Sequence, residues 1–88
     1  MKIWEFTEQP YPDAWNDLGF SYMLQGRQAE CERSLREALT YDRSHRRALN
    51  NLGTLYARQG DDARAIAVFR MTGSEQEAQA SLDRVRSS

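Results

Sequence analysis

Long apolar runs are missing from this sequence. No stretch approaches the roughly 20 residues needed to cross a bilayer. Cysteine is nearly missing, with one residue in 88. That excludes a disulfide framework within the chain and any Cys-rich zinc site. A single histidine excludes most multi-His metal or acid–base constellations. Lysine is reduced to Lys2, and the other eleven basic residues are arginines. Net charge is nearly absent: twelve Lys+Arg face thirteen Asp+Glu, for −1. Neither a dedicated nucleic-acid binder nor an acidic tail fits that balance. Glu5 and Glu8 interrupt any apolar core of a signal peptide at Met1–Glu8, so the expected location is the cytoplasm. The length fits one small domain with a thin core.

The charge that is present is unevenly spread. Residues 1–42 carry −4 and residues 43–88 carry +3. Arginine-rich usage suits bidentate carboxylate contacts.

A repeat organises the chain. Shifted by 34, Ala14, Asn16, Leu18, Gly19, Tyr22, Gln25, Gly26, Ala29 and Arg36 fall on Ala48, Asn50, Leu52, Gly53, Tyr56, Gln59, Gly60, Ala63 and Arg70. Trp15/Leu49 and Leu35/Phe69 are apolar in both copies, and Cys31/Ala65 are small in both. Trp15, Leu18 and Tyr22 share one helical face. Gly19 and Gly53 lie inside their helices at a cost of roughly 0.5–1 kcal/mol against Ala. That cost calls for a close helix crossing, with Cys31 and Ala65 as the small partners. Gly26 and Gly60 read as left-handed helix C-caps. Pro12 suits a first helical turn, and Asp42 or Ser44 an N-cap.

These signals predict an all-α chain of about five helices, near 13–25, 28–41, 46–59, 62–72 and 75–86. The last opens on the capping-box pattern Ser74-Glu75-Gln76-Glu77. Its stripe Ala78, Leu82, Val85 faces the fourth helix, as a terminal cap does. The division reads as residues 1–11, an aromatic N-terminal segment; 12–45 and 46–73, two repeats; and 74–88, the cap. Two repeats and a helix fall short of the three that usually stabilise such an array. The aromatic segment, self-association or further chain would supply the remainder.

The motifs Trp15-x-x-Leu18-Gly19-x-x-Tyr22…Gly26…Ala38 and Leu49-x-x-Leu52-Gly53-x-x-Tyr56…Gly60…Ala65…Phe69 resemble the tetratricopeptide repeat family over about residues 12–73. The resemblance implies a right-handed superhelix of antiparallel helix pairs, an α-solenoid. Its first helices would line a concave groove for a peptide or partner helix. On this chain the implied groove positions are Asp13, Asn16, Phe20 and Met23, then Arg47, Asn50, Asn51, Thr54 and Arg58. Some family members clamp a C-terminal carboxylate. Here Asn51 fits one such position, but Asn16 stands for a Lys and Phe20 for an Asn. Phe20 and Met23 instead suggest an apolar patch for an amphipathic helix or an extended segment.

The stretches Asn50-Asn51-Leu52-Gly53 and Gly73–Leu82 resemble the repeat proteins of bacterial tight-adherence (Flp-type) pilus assembly. That resemblance implies a periplasmic or outer-membrane-associated alternative. No cysteine stands near the start to carry the lipid of those proteins.

Catalytic chemistry is sparse. His45 reads as a solvated turn residue beside Arg43, Arg46 and Arg47. Cys31 reads as a small core residue and Asp61-Asp62 as a helix start. The basic run reads as a solvated turn rather than a phosphate site. No cofactor, metal or nucleic acid is expected, and no enzymatic activity. The expected function is an adaptor, scaffold or assembly factor that binds another protein. The alternative is a self-associating structural domain, or a fragment of a larger secretion or pilus-assembly protein. Ile3, Trp4 and Phe6 are the candidates for self-association, as a homodimer contact. Packing on the first helix pair is their other reading.

Overall fold

Two glycines set the chain's reversals. Gly26 and Gly60 have φ of +76° and +82°, the left-handed region that glycine enters without steric cost. Each closes the same pair of bonds over a helix end. Gly26 N–H donates to Met23 O and Arg27 N–H to Tyr22 O; Gly60 N–H donates to Ala57 O and Asp61 N–H to Tyr56 O. These are Schellman caps, and both copies of the repeat build them.

A computed structural model describes residues 11–73 and 75–87. Among these residues the chain forms five helices: α1 (Pro12–Leu24), α2 (Gln28–Tyr41), α3 (Arg46–Arg58), α4 (Asp62–Arg70) and α5 (Glu75–Ser87). The fold is all-α, as the periodicity predicts. Pro12 occupies the first turn of α1. Asp61 caps α4 by accepting from Arg64 N–H at 3.1 Å. The fourth helix stops at Arg70, two residues before the expected end. There Met71 and Thr72 N–H donate back to Val68 and Phe69 carbonyls, which tightens the last turn.

α1 packs on α2 and α3 on α4 as hairpins, and α5 closes on α4. α3 also touches α1, α2 and α5, so it meets every other described helix. The core between them holds Met23, Cys31, Leu35, Ala38, Leu52, Leu55, Tyr56, Ala65, Phe69, Ala78 and Leu82. α5 therefore buries its stripe against α3 as well as α4.

The interior glycines do mark close crossings, and a large residue of the second helix comes nearest in each. A Cβ on Gly19 would lie 2.8 Å from Leu35 Cδ2, and one on Gly53 would lie 2.5 Å from the Phe69 ring. The large residue one turn beyond Cys31 or Ala65 comes nearest in each crossing, and at Gly19 the backbone carbonyl of Cys31 stands 3.4 Å from the same position. Cys31 is nevertheless core: it is fully buried, and burial pushes its thiol pKa up.

No helix among the described residues is long and apolar enough to cross a membrane. Ile3, Trp4 and Phe6 lie outside the described residues, as does Ser74 of the expected capping box.

Candidate functional site

The face shared by α1 and α3 holds most of the expected groove. Its centre is a cleft of about 340 Å3 lined by Asn16, Asp17, Phe20, Arg47, Asn50 and Asn51. Helical spacing explains the membership. Asn16, Asp17 and Phe20 fall on one side of α1, and Arg47, Asn50 and Asn51 on one side of α3. Asn51 Nδ2 donates to Asn16 Oδ1 at 2.9 Å, which ties the two walls together at the cleft floor. Asn16 is buried, so its role is to hold that floor. Asn51 thus directs one amide hydrogen to Asn16.

Phe20 is the apolar element of the cleft, and its side chain is 46% exposed. Met23 does not join it. The expected Phe20–Met23 patch shrinks to Phe20, because Met23 is buried with Asn16 and Gly19 on the inward stripe of α1. Helical spacing could not separate the two faces, since Phe20 and Met23 are three residues apart. Thr54 is half-buried and Arg58 exposed further along α3, outside the cleft lining. Asp17 was not among the expected positions; its signal is the one-turn spacing from Asp13.

Asp13 sits at the mouth and is mostly exposed. Its Oδ1 lies 2.5 Å from His45 Nε2 and 3.6 Å from Arg47 Nη2. The hydrogen bond from His45, with a smaller contribution from Arg47, holds the Asp13 carboxyl below its ordinary range.

His45 is the main correction to the sequence reading. It is buried rather than solvated, and it is the N-cap of α3. Its Nδ1 accepts from Ala48 N–H at 3.1 Å. An accepting Nδ1 leaves the ring proton on Nε2, which donates to Asp13. Asp42 and Ser44, the expected caps, instead bond each other: Asp42 Oδ1 accepts from Ser44 N–H and Oγ in a tight turn.

A second depression adjoins the cleft between α3 and α5. Asn50 belongs to both, and Arg46, Thr72, Glu77, Ala80, Ser81 and Arg84 line the rest of the second. Arg46 is anchored there by donating to Thr72 O at 2.7 Å. The surface carries Asp13 and Asp17 on α1, Arg46 and Arg47 on α3, and Glu77 with Arg84 on α5.

Paired hairpins joined by glycine caps, with α1 and α3 side by side, match a known repeat. One tetratricopeptide repeat model matches residues 12–45 and another matches residues 47–70. The chain belongs to the tetratricopeptide repeat family. Its two repeats make it, in general terms, a protein–protein interaction module of a family that is typically non-catalytic. No curated protein and no solved structure matches the chain. Among the described residues, no three His, Cys, Asp or Glu side chains converge as a metal site.

Proposed function

We propose that this tetratricopeptide repeat protein is a non-catalytic adaptor or assembly factor that binds a peptide or helix of another protein along the α1–α3 face. The observation that carries the reading is the cleft itself. It presents one half-exposed aromatic, Phe20, on the α1 wall and the amide of Asn50 and the cation Arg47 on the α3 wall. An apolar side chain of the partner would rest on Phe20. The Asn50 amide would both donate to and accept from the partner's backbone. Arg47 favours a partner that places a carboxylate at the α3 side. Asn16 and Asn51 act as support, because their bond is made within the protein.

The test is capture of a partner from the native lysate, read by mass spectrometry, beside the variant Arg47→Glu/Asn50→Ala. The unmodified protein retains a specific partner, and the double variant loses it with its helical circular dichroism unchanged. Equal capture by both would place binding elsewhere.

A further inference from the structure

The cap helix continues the partner face. α5 touches α3 as α3 touches α1, and the second depression, of about 300 Å3, lies between them. It is the first cleft moved on by one repeat. A shift of 34 takes Asn16 to Asn50, Asn50 to Arg84 and Arg47 to Ser81. Each of these residues lines one depression or the other. The core motif fails in α5, where Asp83 stands in the place of Trp15 and Leu49. The helix is seated instead by Ala78 and Leu82, which are buried.

The two depressions differ in chemistry. The first holds the aromatic ring of Phe20. The second has no large apolar side chain in its lining and carries a cation on each wall, Arg46 on α3 and Arg84 on α5. Both guanidinium groups are oriented from within the protein: Arg46 donates to Thr72 O at 2.7 Å and Arg84 to Ser81 Oγ at 3.1 Å. A guanidinium has five N–H donors in a fork that matches a carboxylate. One bond to Thr72 therefore fixes Arg46 and leaves donors for a ligand. The acidic residue of the lining, Glu77, places its carboxylate where a Cβ on Gly73 would stand, at the α4–α5 turn. Asp13 and Asp17 lie at the opposite edge of the face, on α1. An acidic side chain crossing this face is repelled toward α1 and attracted toward α5.

The spacing of the depressions selects a peptide conformation. Their centres are separated by about one interhelical distance, roughly 8–10 Å. A peptide in polyproline II conformation rises about 3.1 Å per residue and repeats every three residues. Residues i and i+3 then face the same way, about 9 Å apart.

We propose that the α3–α5 depression binds an Asp or Glu side chain of an extended partner peptide, three residues from the apolar side chain that rests on Phe20. The cap helix is thus part of the recognition surface, with Arg46 and Arg84 as carboxylate ligands. This inference rests on the α1–α3 face being the partner-binding face.

Random peptides displayed on phage, each fused through its C-terminus so that only side-chain carboxylates are offered, test both levels. Peptides enriched on the unmodified protein share an apolar residue and an Asp or Glu three positions away. Changing that acid to its amide weakens binding at least about tenfold by fluorescence anisotropy. On Arg84→Glu, with helical circular dichroism unchanged, the same library yields Lys or Arg at that position and keeps the apolar residue. If Arg84→Glu fails to fold, Arg84→Ala decides, and the penalty for the acid-to-amide change then shrinks. Enriched peptides with an apolar residue but no acid at the three-residue spacing overturn the inference. So does an acid preference that survives the Arg84 variants, or one that Arg47→Glu alone abolishes, which would put the carboxylate in the first cleft. In those cases loss of all enrichment on Phe20→Ser still upholds the partner face itself. No enrichment on the unmodified protein, or enrichment indifferent to Phe20→Ser, overturns both.

Discussion

His45 Nε2 lies 2.5 Å from Asp13 Oδ1, which binds the first turn of α3 to the first turn of α1 across the mouth of the cleft. The same imidazole caps α3 through Nδ1. One ring therefore fixes where α3 begins and how it stands beside α1.

Two substitutions separate these tasks. His45→Ala removes both, and the lost cap alone costs about 0.5–2 kcal/mol. His45→Asn can still cap α3 but is too short to reach Asp13, so its cost is smaller. Urea denaturation of the two variants checks the order. Equal losses would mean that the bridge to Asp13 adds nothing.

Asp13 gives stability a pH dependence of defined sign. Its carboxyl titrates below the ordinary 3.8 in the folded protein. Between the two values the unfolded chain binds more protons than the folded one, so stability rises with pH there. The contribution is complete at neutral pH and is lost as pH falls from 3.8 through the lowered folded value. Asp13→Asn removes this titration and keeps an acceptor for His45. Its stability, compared with that of the unmodified protein by urea denaturation, declines less on acidification over this interval.

The two helix crossings differ in how much they tolerate. Gly53→Ala improves helix propensity by about 1 kcal/mol but drives a methyl group into the buried Phe69 ring. Overpacking of that kind costs about 1–3 kcal/mol, so the expected net effect is destabilising. Gly19→Ala meets Leu35, a branched side chain with more rotamer freedom, and should cost less. Thermal melts of both variants, and of Gly53→Ala with Phe69→Leu as a rescue, check the ranking.

The repeat, the five helices and the glycine caps were legible because they are local or recur at a fixed shift. Gly26 and Gly60 follow apolar helical patterns in both copies, and only a left-handed cap explains them. The cleft was half legible. Phe20, Arg47, Asn50 and Asn51 could be placed by repeat position, and the structure brings them together. Asn16 shares their register, yet its side chain turns inward to Asn51, a partner 35 residues away. His45 was misread for the same reason. Its sequence neighbours are arginines and Ser44, while the group that engages it lies 32 residues earlier. Met23 failed differently: helical spacing gives a face only to within about one residue's rotation, and one rotation separates cleft from core.

α3 touches each of the other four described helices. In long solenoids each repeat meets only its neighbours, so ends can fray while the middle holds. An array short enough for one helix to reach all the others has no seam at which to part. Loss of α3 leaves only the α1–α2 and α4–α5 pairs, which share no contact. The protein should therefore melt in a single all-or-none step, with the partner face present in full or not at all.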